Sequence, residues 1–268
     1  MPLFSYFCAV FLEECMVQTT KEEKLMHRIE RRFSKGMVEY GLIEEGDRIL
    51  IALSGGKDSL ALTELLARRA RIFKPRISVV AVHVVMKNIP YQSDVEYLRS
   101  FCSSVGIELQ LYETEFDAST DNRKSPCFLC SWNRRKALFT AAKELGCNKI
   151  ALGHHMDDIL ETLLMNITFQ GAFSTMPPKL VMKKFDMTII RPMCLVHEAD
   201  LTELAICHAY RKQVKNCPHE HESHRTSMKG ILQQLEAMNP EARYSLWSSM
   251  ANVQEELLPC RLKSQNQK

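Results

Sequence analysis

Hydrophobic positions along the chain switch back and forth between two periods. Arg48 to Leu53 is a short apolar run and reads as a buried strand, and Leu62, Leu65 and Leu66 then fall at i, i+3, i+4 and predict a helix. Ile77 to Val85 is β-branched and strand-like. Val95, Leu98, Cys102 and Val105 stripe a second helix ending near Gly106, and Ile107 to Tyr112 follows as a third strand. Ala137, Leu138, Ala141, Ala142 and Leu145 define a helix that starts at Trp132, with Gly146 as its C-terminal stop. Lys149 to Leu152 is a short strand, Ile159, Leu160, Leu163, Leu164 and Ile167 stripe another helix, and Met187 to Ile190 is a fifth strand. Such β-α alternation predicts an α/β fold: a doubly wound, parallel, five-stranded sheet with ligands at the carboxyl ends of its strands.

Beyond residue 195 the stripes are helical: Leu201, Leu204 and Ala205; Met228, Ile231, Leu232 and Leu235; Leu246, Met250, Val253 and Leu257. The expected organisation is an N-terminal extension (1–20), an N-terminal helix (21–45), the sheet domain (46–195) and a helical C-terminal region (196–260). Residues 114–126 and 170–186 read as long loops, which in compact domains often carry function. Met1 to Leu12 is apolar, but the first Lys is Lys21, and Glu13 and Glu14 cut the run short of a membrane span. One reading starts translation at Met16. The helix from Lys21 to Tyr40 carries Arg28, Arg31, Arg32 and Lys35, either as a solvated face or as an arm touching a polyanion.

Composition narrows the class. A chain of 268 residues can bury a core unaided, and 35 basic against 32 acidic residues (net +3) permits a nucleic-acid partner without demanding one. Ten cysteines are too few for a disulfide scaffold of this size and too many for an ordinary core, so some are read as ligands or reactive thiols of an intracellular protein.

Glycine is scarce, at 10 residues, so the pair in Ser54-Gly55-Gly56-Lys57-Asp58-Ser59 is informative. The segment follows a strand and opens a helix. Backbone without Cβ can approach an anion closely, the helix N-terminus is its positive end, and Ser54, Lys57 and Ser59 add donors. The Walker A spacing is absent, and an ordinary tight β-α turn would not need the Lys-Asp-Ser tail. Gly153-His154-His155-Met156-Asp157-Asp158 also lies between strand and helix, where either aspartate could cap the helix. A hydrolytic metal site is weakened because adjacent histidines on extended backbone point to opposite faces. Cys127-Phe128-Leu129-Cys130 sits at a helix start beside Arg134, Arg135 and Lys136, which favour thiolates; it could grip a metal or cluster, or be redox-active. Cys217 is the third candidate, while Cys102, Cys147, Cys194 and Cys207 read as small core residues.

Ser-Gly-Gly-Lys-Asp-Ser resembles the pyrophosphatase (PP) loop of the N-type ATP pyrophosphatases. Pro126-Cys-Phe-Leu-Cys-Ser-x-x-Arg-Arg135, Met176-Pro-Pro-Lys-Leu180, Ile190-Arg-Pro192 and, more loosely, Asn252-Val253 are similar to motifs of the tRNA 2-thiocytidine synthetases, so the resemblance runs from about residue 21 to 255. It implies that Ser54, Gly55, Gly56, Lys57, Asp58 and Ser59 hold the phosphates of ATP, with adenine near Ala52 and His83. Gly153 belongs to the same nucleotide site, and Asp157 and Asp158 lie near ATP and Mg²⁺, with Lys57, Asp58, Asp157 and Asp158 as the catalytic set. It also implies a [4Fe-4S] cluster on Cys127, Cys130 and Cys217, a tRNA substrate, a cysteine desulfurase as sulfur donor, a cytoplasmic setting, and room for a homodimer. Two positions depart from the family pattern: Glu220 stands where a second Cys-x-x-Cys would end, and Met193 replaces Leu. The first leaves His219 or His221 open as zinc ligands. Arg134, Arg135, Lys179 and Lys183 are candidates for phosphate contacts. A 2-thiouridine synthetase, a lysidine-type ligase and a zinc-stabilised RNA-binding module stand as alternatives.

Overall fold

In the computed structural model the backbone is described for residues 3–87, 94–115, 126–183, 185–211 and 224–259, and side chains from residue 20 onward, those of 126, 127 and 224 excepted. The elements are α1 (Leu3–Glu39), β1 (Arg48–Ala52), α2 (Lys57–Ala70), β2 (Ser78–Met86), α3 (Val95–Val105), β3 (Leu109–Thr114), α4 (Pro126–Glu144), β4 (Lys149–Ala151), α5 (Met156–Gln170), β5 (Lys179–Met182), β6 (Met187–Ile190), α6 (Glu198–Cys207), α7 (His224–Met238) and α8 (Ala242–Ser249). Among these, no helix is long and apolar enough to cross a membrane.

The chain forms two compact units. The larger comprises residues 1–159 and 176–221, the smaller 160–175 and 222–268. The larger holds a six-stranded sheet ordered β3-β2-β1-β4-β6-β5, in which all neighbours are parallel except β5 and β6. The doubly wound α/β expectation holds, with one strand beyond the five expected. Lys179–Met182 falls inside the stretch read as a loop and closes the edge as an antiparallel hairpin, Leu180 opposite Ile189.

Strand alternation sorts the core. Ile49 and Ile51 of β1 and Ala81 of β2 face a layer formed with α1, α2, α3 and α6. Leu50, Val80, Val82 and Val84 face the other side, against Ala141 and Ala142 of α4. Because both faces are covered, the strands read as continuous apolar runs rather than alternating ones.

Two features of α1 and α4 differ from expectation. α1 is longer than the helix read from Lys21, and part of its basic face is engaged by α6. Arg28 donates to Asp200 at 2.8 Å, Arg32 donates to the same carboxylate, and Lys21 pairs with Glu203 at 2.9 Å. α4 begins at Pro126 rather than Trp132, so Cys127 and Cys130 lie within its first turn. Proline suits that place because its missing N–H would be unpaired there anyway.

A buried ion pair joins the bottoms of the central strands. Lys149 donates to Asp47 at 2.7 Å and to the Leu42 carbonyl at 3.1 Å, and both charged residues are under 5% exposed. Asn148 and the Glu44 backbone N–H complete the shell around Asp47, at 2.7 and 2.6 Å. Removing one partner strands the other charge in the interior. Lys149→Ala is therefore expected to cost about 3–5 kcal/mol in urea unfolding; a loss below about 1 kcal/mol would contradict the buried pairing.

Candidate active site

The chain leaves the sheet at the carboxyl ends of β1 and β4, adjacent strands from which the winding proceeds in opposite directions. This is the crevice where such sheets bind ligands. From β1 the backbone turns through Gly55, at φ +84°, and reaches Gly56, the N-cap of α2. Ser59 holds the turn closed: its hydroxyl accepts from the Gly55 N–H at 3.1 Å and donates to the Gly56 carbonyl at 2.8 Å. Ser54 Oγ donates to Ser59 Oγ at 3.1 Å. The loop is thus shaped by its own serines, with α2 opening directly behind it.

Gly153, just past β4, locks the second strand end onto the first. A Cβ there would lie 3.2 Å from the backbone C and O of Asp58 and the N of Ser59. Only glycine lets these two segments meet at this spacing. The positions read as a nucleotide site at Ser54–Ser59 and at Gly153 are therefore brought together.

His155 stands at the centre of the charged groups. Its Nε2 lies 3.4 Å from Asp158 and 3.9 Å from Asp58, and its Nδ1 3.7 Å from Asp157. Lys57 donates to Asp58 at 2.8 Å and reaches Glu198 at 3.5 Å. Burial pushes the His155 pKa down, against the upward pull of Asp158 and Asp58. The imidazole is therefore neutral at neutral pH and separates the carboxylates without adding charge.

Of the two aspartates, Asp158 does the capping work that the sequence allowed. Asp158 accepts from the His155 N–H at 3.2 Å while the Asp158 N–H donates back to His155 Nδ1 at 3.3 Å, a reciprocal cap on α5. Asp157, 4% exposed, accepts from the N–H of Glu198 at 2.8 Å and so ties α5 to the start of α6. The adjacent histidines do face apart. His154 Nδ1 accepts from Arg191 Nε at 3.3 Å, and Arg191, itself buried, donates to the Pro177 carbonyl at 2.5 Å.

Ala52 ends β1. His83, in the middle of β2, is 2% exposed and donates through Nδ1 to the Leu53 carbonyl at 2.7 Å. Burial lowers its pKa, and Arg134 of α4 lowers it further. His83 thus fixes the exit of β1. Arg135 lies close enough to lower the pKa of buried Arg191, behind the larger effect of burial. α4 therefore brings its basic residues to the strand ends. Lys179 is occupied instead with the Gly41 carbonyl at 2.8 Å and Glu44 at 3.1 Å, so it holds the hairpin to the end of α1.

Cys130 is half-buried in the first turn of α4, while Cys217 and the alternative zinc ligands His219 and His221 lie outside the described residues. Among the described residues no three His, Cys, Asp or Glu side chains are grouped to hold a metal ion. Cys102 and Cys194 are confirmed as core thiols, pushed up by burial to about 11 and about 12. Cys207, read as a core residue, is exposed. Neither Arg191 nor Glu198 is among the site residues expected from the sequence. Arg191 stood inside a quoted motif, whereas nothing local marks Glu198, whose part depends on α6 returning to the loop.

A family profile described as a PP-loop domain matches residues 25–211. The chain belongs to the PP-loop family. Within it, the chain is 37% identical over 247 residues to the tRNA-cytidine(32) 2-sulfurtransferase of Syntrophotalea carbinolica, covering 90% of this chain and 95% of that protein. It is 36% identical over 261 residues to the enzyme of the same name from Geotalea daltonii, covering 91% and 98%. Family membership thus extends to the 2-sulfurtransferase branch. Among solved structures, the U34-tRNA thiolase NcsA from Methanococcus maripaludis, with its [4Fe-4S] cluster, shares the PP-loop fold at a TM-score of 0.68 and 23% identity, covering 90% of this chain and 82% of that one.

The contact between Gly153 and the loop yields a test. Gly153 has no positive φ, so alanine can adopt its backbone, but the new methyl must displace residues 58 and 59. Gly153→Ala is expected to leave the fold intact and weaken ATP binding on the order of tenfold by calorimetry. Unchanged affinity would show that the loop's position is not set by this contact.

Proposed function

We propose that the chain is an ATP-dependent tRNA sulfurtransferase that replaces the C2 oxygen of an anticodon-loop cytidine with sulfur, cytidine 32 by analogy with its relatives. The observation that carries the reading is the serine-braced loop at residues 54–59, interlocked with Gly153 at the switch point of the sheet. Its close relatives bear the sulfurtransferase name.

Oxygen at C2 is a poor leaving group. Attack of that oxygen on the α-phosphorus of ATP expels pyrophosphate and joins AMP to it. The backbone N–H groups of the loop and the N-terminus of α2 take the charge that develops on the departing pyrophosphate. Lys57 would leave its contacts with Asp58 and Glu198 for the phosphates. Asp58 and Asp158, both near Nε2 of neutral His155, would be the carboxylates that hold Mg²⁺. Asp157 keeps α6, and with it Glu198, against the site. A sulfide then adds at C2, the C2–O bond breaks, and AMP leaves with the oxygen, so that no net redox change occurs at carbon.

The donor set at the start of α4 fits an iron–sulfur group: two cysteines lie at i, i+3 in one turn, with no carboxylate in that turn. Cys127, Cys130 and Cys217 would hold the cluster. When bound, such a cluster would supply a coordination position at which sulfide-level sulfur can be held for the activated carbon. A cysteine desulfurase in the cytoplasm would replenish that sulfur as persulfide, whose outer sulfur is released as sulfide by a two-electron thiol or ferredoxin-type reductant.

Nucleoside mass spectrometry of tRNA from a deletion strain tests the reading. Asp58→Ala should yield no 2-thiocytidine although the protein accumulates; restored modification would refute the ATP site. Cys130→Ala should lose both the modification and the visible absorption of anaerobically purified protein, and unchanged absorption would remove Cys130 as a ligand.

A further inference from the structure

The solvent face of α4 is aromatic, then basic. Phe128 and Trp132, at i and i+4, are 45% and 56% exposed, and Arg135 and Lys136, one turn further on, are exposed on the same side. The polar residues between them are turned onto their own helix: Ser131 donates to the Phe128 carbonyl and Asn133 to the Leu129 carbonyl, both at 2.9 Å. Leu129 points inward and is buried.

An indole more than half exposed withholds much of its apolar area from the core. Other exposed rings of this unit are engaged: Arg76 lies 4.8 Å over Phe73, and Phe185 packs on Phe139 at 5.0 Å. Among the described residues Trp132 makes no such ring contact, and neither Arg135 nor Lys136 has an ion pair. Arg135 instead lies near another cation, Arg191. Unneutralised cations beside an uncovered flat ring suit a partner that presents π-faces and phosphates together. A single-stranded nucleic acid loop does so, whereas a duplex hides its bases in the stack.

We propose that Trp132, with Phe128 beside it, is a stacking platform for an unpaired base of the RNA loop, and that Arg135 and Lys136 meet the adjoining phosphates. The proposal rests on the tRNA reading above and adds a contact that neither the phosphate loop nor the cysteines supply. It places the base-holding surface on the helix that carries Cys130, two residues from it.

Trp247 is the second tryptophan, so a Trp247→Phe background reports Trp132 alone. In that protein acrylamide should quench the emission readily. A hairpin RNA with a single-stranded loop should quench it further, and a blunt duplex of equal length should not. Trp132→Ala should weaken hairpin binding about tenfold, with Trp132→Phe close to wild type and ATP binding unchanged in both. The stacking proposal is overturned if Trp132→Ala binds the hairpin as tightly as wild type, if the duplex quenches equally, or if acrylamide cannot reach the indole. If the wild-type protein binds ATP but no hairpin RNA, the tRNA reading itself fails, and the proposal with it.

Discussion

The site depends on how closely two strand ends can approach. At the point where the winding of the sheet reverses, the segment after β4 must lie against the backbone of the loop after β1, and Gly153 permits it by having no side chain. Everything charged is arranged around that contact. Asp58 belongs to the loop, His155 and Asp158 follow the glycine, and Asp157 draws in the start of α6 with Glu198. Moving the two segments apart would separate the carboxylates from the phosphate cradle even if every functional side chain remained.

The electrostatics follow from that crowding. Asp58, Asp157, Asp158 and Glu198 converge on one region, which only cations or hydrogen bonds can stabilise. Lys57 bridges two of them, backbone N–H groups hold Asp157 and Asp158, and His155 stays neutral because burial outweighs its acidic neighbours. In the proposed function, Asp58 and Asp158 would exchange these contacts for a hard cation arriving with the nucleotide phosphates. The same residues thus shape the loop and fit it to its ligand.

Much of this was legible in the sequence because it is local. The strand–Gly-Gly–helix transition at 50–60 and the glycine before the paired histidines carry their signals within a few residues. Gly106 and Gly146 stop their helices with positive φ, as the pattern predicts. What escaped is long-range. β5 has four residues and gains its identity only by pairing with β6. Lys149 looks like a surface residue until Asp47, remote in sequence, meets it in the interior. The basic residues of α1, read as a solvated face or a polyanion arm, are partly claimed by Asp200 and Glu203 of α6, which no local spacing announces. α4 starts earlier than its apolar stripe indicates because Cys-Phe-Leu-Cys carries no helical periodicity; proline at the first position marks the start.

In the proposed function the loop positions ATP for cleavage between its α and β phosphates, so that the nucleotide carries the cytidine oxygen away. The most direct measurement uses tRNA bearing oxygen-18 at C2 of the target cytidine, with the released nucleotide analysed by mass spectrometry after turnover. The heavy oxygen is expected in AMP, accompanied by unlabelled pyrophosphate. Heavy oxygen in inorganic phosphate or water, or ADP as the product, would contradict it.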